Sequence, residues 1–176
     1  KKFGINSNIE IDYSILKSKM KSTVSKLASG IGFLFKEYNV ELVSGEASIK
    51  SQNQVIVNGT ILETKNIVLA TGSKPKSFVT NKLSEKILST DSIFELENLP
   101  ESILIVGGGY SGCEFASILN VLGCKIWLVE MENSLLPNQP KEIGAAIEKY
   151  MKLDGISVLT KSSMKITDDD KIMINN

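Results

Sequence analysis

The chain has 176 residues, enough for one good core or two small units, and its 20 basic and 20 acidic side chains cancel to zero formal charge. That balance excludes a nucleic-acid surface, which needs a clustered basic excess, and no apolar run approaches the ~20 residues of a membrane span. Lys1-Lys2-Phe3-Gly4 lacks a signal-peptide core, two cysteines are too few for a disulfide scaffold, and without histidine no His-dependent acid–base chemistry resides in these residues.

Over residues 14–38, Leu16, Met20, Val24, Leu27, Ile31 and Leu34 recur three or four apart, which predicts one long amphipathic helix with a solvated Lys-rich face. Gly30, Gly32 and the strands that follow favour its packing against a sheet over a coiled coil. Val40-Glu41-Leu42-Val43 reads as a strand, and Gly45-Glu46-Ala47-Ser48-Ile49 as a turn into another. Gln54-Val55-Ile56-Val57 and Thr60-Ile61-Leu62-Glu63 flank Asn58-Gly59, the strongest short hairpin signal. Asn66-Ile67-Val68-Leu69-Ala70 reads as a buried strand ending in Thr71-Gly72-Ser73-Lys74-Pro75. Pro75 and the polar residues after it mark a crossover, and residues 89–100 a connector with a short helix capped by Asp91 or Ser92.

The second part carries the strongest signal. Ser102-Ile103-Leu104-Ile105-Val106 predicts a buried strand, followed by Gly107-Gly108-Gly109-Tyr110-Ser111-Gly112, an amphipathic helix, and a second strand, Ile126-Trp127-Leu128-Val129, that closes on Glu130. A glycine triad alone is weak evidence, but between a strand and a helix, answered about twenty residues on by an acid, it defines a dinucleotide site. Gly107 allows the tight turn, Gly109 lets a pyrophosphate approach the backbone, and Gly112 lets helix and strand pack closely. The phosphates would face free N–H groups at the helix start. Glu130 can accept both hydroxyls of an adenosine ribose and would repel a 2′-phosphate; the chain contains no Arg to bind one, which favours NAD(H) over NADP(H). The chain then reads as a Leu135-Leu136-Pro137 turn, a helix over 141–153, a strand Ile156-Ser157-Val158-Leu159, and a hairpin around Asp168-Asp169-Asp170. Cys113 falls on a helix face and Cys124 at a strand entrance, as packed thiols of a reducing compartment. No metal-ligand set is read. The fold class is α/β, built from partial Rossmann-like dinucleotide-binding units.

Three motifs together resemble the flavin-dependent pyridine nucleotide–disulfide oxidoreductases, and within them the dihydrolipoamide dehydrogenases. They are Ala70-Thr71-Gly72-Ser73 after a strand, Leu99-Pro100 before the run from Gly107 to Cys113-Glu114, and Glu130 followed by Leu135-Leu136-Pro137. The resemblance implies that residues 1–78 are the later part of an FAD-binding domain, 79–100 a connector and 101–176 the front of an NAD-binding domain. It places Ala47 near the flavin nucleotide's adenine, Thr71, Gly72 and Ser73 along FAD, and Gly107, Gly108, Gly109, Tyr110, Ser111 and Gly112 on the NAD pyrophosphate. It also places Glu114 near nicotinamide and flavin, Glu130 on the adenosine ribose, and the Ser162 backbone against adenine.

Ser111 stands where the family usually has an apolar residue, and Pro140 where an Asp often follows the Leu-Leu-Pro turn. The first flavin glycine fingerprint, a Cys-x-x-x-x-Cys pair, the closing Gly-Asp motif and the His–Glu pair are not in the chain; Cys113 and Cys124, eleven apart, cannot replace the cysteine pair. The chain therefore reads as an internal stretch of a longer enzyme, without catalytic residues of its own, colourless and inactive toward dihydrolipoamide by itself. The resemblance implies a parent that oxidises a dihydrolipoyl group and reduces NAD, a cytoplasmic or organelle-matrix homodimer in a 2-oxoacid dehydrogenase complex. A glutathione reductase, a mercuric reductase, an NADH oxidase and a non-catalytic nucleotide-binding module are the alternative readings.

Overall fold

The computed structural model describes residues 10–75, 86–167 and 171–175. The chain divides into two compact units, one over Ile15–Lys76 and the other over Lys1–Ser14 with Ser77–Asn176. Among the described residues no helix is long and apolar enough to cross a membrane.

Helix α1 spans Tyr13–Glu37, as the three-and-four spacing predicts. At its start the Asp12 carboxylate accepts the Ser14 backbone N–H at 2.9 Å, which satisfies one of the helix's orphan donors. At its end Asn39 turns left-handed with φ +52°, and Val40 N–H closes back on the Phe35 carbonyl at 2.8 Å. The expected packing of its apolar stripe on a sheet is not observed: Val24, Leu27, Ile31 and Leu34 are all exposed.

Strands β1 (Ala47–Ser51), β2 (Gln54–Val57) and β3 (Thr60–Glu63) form an antiparallel meander. Val57 pairs with Thr60, and Asn58 and Gly59 between them both take positive φ, +51° and +81°, the turn that matches strand twist. Two expected strands do not form. Residues 40–43 and 66–70 run without regular structure, and Val68 is 85% exposed. Their β-branched residues predict strands, a buried one at 66–70, but strand preference is a preference for a pleated neighbour, and among the described residues neither segment has one.

In the other unit β4 (Ser102–Val106), β5 (Lys125–Val129) and β6 (Ser157–Leu159) form a parallel sheet in that order, with α2 (Tyr110–Val121) and α3 (Lys141–Leu153) as the crossovers. This strand–helix alternation with a parallel sheet is the Rossmann-like α/β arrangement the sequence pattern predicts. Its core joins Cys113, Ala116 and Leu119 of α2 to Ile126 and Leu128 of β5, Met151 of α3, Leu135, Ile156 and Val158. The connector holds a 3₁₀ turn at Ser92–Glu95, but neither expected residue caps it by side chain; the Ser89 hydroxyl accepts the Asp91 and Ser92 N–H groups instead. Strands β7 (Ser163–Ile166) and β8 (Ile172–Asn175) pair antiparallel as the expected hairpin, whose Asp168-Asp169-Asp170 turn lies outside the described residues.

Candidate functional site

The parallel register sets Val106 beside Val129 and Val129 beside Leu159, so the residues that follow these strands converge at one sheet end. Gly107 turns out of β4 at φ +106°, a conformation that side-chain-bearing residues rarely adopt, and its N–H donates to the Val129 carbonyl at 2.8 Å. Gly108 N–H donates to Glu130 Oε2 at 2.6 Å, and Glu132 N–H to Oε1 at 2.8 Å. Glu130 is 8% exposed and is anchored by its own backbone, its N–H donating to the Leu159 carbonyl and its carbonyl accepting Ser162 N–H. Each carboxylate oxygen keeps further acceptor capacity, which two adjacent ribose hydroxyls could use.

Helix α2 opens immediately after Gly109, and its first turn has N–H groups without intrahelical acceptors. A Cβ on Gly112 would overlap the Gly107 carbonyl oxygen, so strand and helix approach as closely as the sequence pattern predicts. Nothing lies within 4 Å of a Cβ position on Gly109, which leaves open space on the ligand side. The turn, the donors and the carboxylate fit a dinucleotide's pyrophosphate and ribose.

Among the other expected residues, Ser162 is buried and its hydroxyl donates to the Thr160 carbonyl, while Ser111 and Glu114 are exposed on α2. Tyr110 is exposed, and its hydroxyl accepts a hydrogen bond from the Gln139 side-chain amide. In the other unit Ala47 begins β1, and Thr71, Gly72 and Ser73 are exposed in irregular chain, Gly72 at φ +72°. No enclosing cradle forms around these three among the described residues.

Sequence reasoning missed the Glu132 N–H, the Gln139 bond to Tyr110, and the bond from Leu136 N–H to the Gly108 carbonyl at 2.9 Å. The two backbone N–H donors leave no residue-type signal, and the Gln139–Tyr110 bond joins side chains 29 residues apart that no local pattern links. The Leu135-Leu136 pair in the turn was the one visible clue.

Both cysteines are free and buried. Burial pushes the Cys113 thiol above its ordinary pKa, and the Glu130 and Glu114 carboxylates push it the same way; burial alone raises Cys124. Less thiolate forms at a given pH, so neither is an activated nucleophile. In the native protein both should react with a disulfide reagent such as DTNB at least tenfold more slowly at pH 8 than after unfolding in guanidinium. Rapid native labelling of Cys113 at mass-spectrometric resolution would contradict this.

The sheet order, the glycine turn and the buried acid are those of a Rossmann-like dinucleotide-binding fold. The sequence matches the family model for pyridine nucleotide-disulphide oxidoreductases over residues 5–176, and the chain belongs to that family. It is 38% identical to dihydrolipoyl dehydrogenase of Acholeplasma laidlawii over 97% of this chain and 53% of that protein. It is 34% identical to the Chlamydia pneumoniae enzyme of the same name, over 96% of this chain and 38% of the relative. The chain thus spans about a third to a half of the length of the curated relatives it matches. A solved structure of the HOCl-induced flavoprotein disulfide reductase RclA from Escherichia coli superposes with a TM-score of 0.76 at 20% identity, over 88% of this chain and 36% of that one, a likeness of fold. Members of the family use FAD and NAD(H).

Proposed function

We propose that this chain is the nucleotide-binding portion of an FAD- and NAD-dependent dihydrolipoamide dehydrogenase. The observation that carries the proposal is the buried Glu130 carboxylate held on Gly108 N–H at 2.6 Å, beside an open glycine turn, which suits an unphosphorylated adenosine ribose. The likeness to several bacterial dihydrolipoyl dehydrogenases over most of the chain supports the substrate class. In the whole enzyme a dihydrolipoyl dithiol would lose two electrons and two protons to become the disulfide, while NAD⁺ gains a hydride and one proton is released. Bound nicotinamide supplies the hydride-accepting carbon. The residues of this chain bind and orient: Gly107 to Gly112 would cradle the pyrophosphate, Glu130 would accept the ribose hydroxyls, the Ser162 backbone would border the adenine, and Glu114 would lie near the nicotinamide.

Ala47, Thr71, Gly72 and Ser73 would lie along FAD, residues 1–78 belonging to the flavin-binding part and 101–176 to the NAD-binding part, joined by 79–100. The parent would be a cytoplasmic homodimer serving a 2-oxoacid dehydrogenase complex. The test is turnover of the full-length protein with dihydrolipoamide: NADH should form, and NADP should support at most about a tenth of the kcat/KM seen with NAD. Inactivity with dihydrolipoamide alongside NADH-dependent reduction of another disulfide would reject the substrate, and a preference for NADP would reject the role of Glu130.

A further inference from the structure

Leu135 is fully buried between two glycines that belong to different elements. On one side its Cδ2 lies 2.5 Å from where a Cβ on Gly108 would stand, and the adjacent Leu136 N–H donates to the Gly108 carbonyl at 2.9 Å. Leu136 takes φ +50°, an uncommon conformation for leucine, so the turn is held by its surroundings and not by local preference. On the other side a Cβ on Gly144, in the second turn of α3, would overlap the Leu135 carbonyl oxygen. A glycine inside a helix is unfavourable by intrinsic propensity, so this close approach is the reason that stands for it.

We infer that Leu135 and Gly144 are positioning residues that press the nucleotide loop into its binding shape from behind, through the sequence α3, Leu135, Gly108, Glu130. Resting on the dinucleotide reading above, the inference adds to it that affinity depends on a helix residue outside the ligand-contacting set. Gly108 is the shared element: its missing side chain admits Leu135, its carbonyl holds Leu136, and its N–H holds the Glu130 carboxylate. Displacing Leu135 therefore moves the group that orients Glu130, because the tightly packed interior passes the shift on.

The test is NADH binding and steady-state kinetics in the full-length protein carrying Gly144→Ala. Helix propensity alone predicts unchanged binding and a slightly higher melting temperature. The positioning role predicts an NADH Kd and a KM for NAD raised about fivefold, with kcat and bound flavin held. A second pair keeps the inference open to refutation should Gly144→Ala fold poorly. Gly108→Ala should weaken NADH binding, and adding Leu135→Val, which removes the Cδ2 atom in the way, should restore it at least threefold, the remaining deficit coming from Glu130 Cβ at 3.0 Å. Unchanged NADH affinity in Gly144→Ala, or no restoration in the double variant, would overturn the inference. A wild-type protein that binds no NADH would remove the dinucleotide reading itself, whereas wild-type binding with an indifferent Gly144→Ala removes only the positioning role.

Discussion

Replacing Glu130 with alanine in the full-length protein is expected to weaken NADH binding by about tenfold or more and to narrow its margin over NADPH. Two effects add. The carboxylate would no longer accept the ribose hydroxyls, and a hydrogen bond to a charged partner contributes roughly 1.5–3 kcal/mol, against about 1.4 kcal/mol per tenfold in affinity. The substitution also strips the acceptor from Gly108 N–H and Glu132 N–H at a buried position, so the loop loses the bonds that fix its shape before any ligand arrives. NADPH responds in the opposite sense, since its 2′-phosphate no longer meets a fixed negative charge, and the chain has no Arg to draw it in. Titrating both reduced nucleotides into wild type and Glu130→Ala measures this directly. Equal or tighter NADPH binding by wild type would remove the NAD assignment, and an unchanged ratio in the variant would remove Glu130 from the site.

The site was legible because its parts are tied to residue types. Only glycine takes φ +106° at position 107 at no steric penalty, only glycine allows the carbonyl contact at 112, and only a carboxylate gives the two acceptor oxygens used at 130, so the sequence carries these positions openly. The parallel sheet was legible for a related reason: Ile126 and Leu128 on one face of β5 and Val129 on the other are almost wholly buried, and strands covered on both faces read as continuous apolar runs. The same logic failed at 66–70, where Ile67, Val68 and Leu69 look alike in sequence yet find no strand to pair with among the described residues. Apolar content reports a demand for burial; whether the demand is met depends on partners that local sequence does not name. The Leu135 wedge was half visible. A leucine pair before a proline marks a turn, but its left-handed Leu136 and its seat against Gly144 come from tertiary packing alone.

Gly112→Ala and Gly109→Ala should separate what folds the site from what binds in it. At position 112 a Cβ would run into the Gly107 carbonyl oxygen, which belongs to the backbone and has no rotamer by which to escape. Relief requires α2 to move off β4, and α2 carries Cys113, Ala116 and Leu119 into the same core as Ile126 and Leu128. Overpacking of this kind costs about 1–3 kcal/mol, read in the full-length protein as a lowered melting temperature. NADH affinity should fall with it, since the turn and the helix start shift together. Position 109 differs: the residue sits at φ −73°, open to any side chain, with nothing within 4 Å of the added methyl. Its variant should melt within about 1 °C of wild type while binding NADH at least tenfold more weakly, because the methyl occupies the space through which a pyrophosphate would reach the backbone. Thermal unfolding and NADH titration on both proteins give four numbers. A Gly109→Ala that binds as wild type does would place the phosphates elsewhere, and a Gly112→Ala as stable as wild type would show that the strand and helix have room this packing denies them.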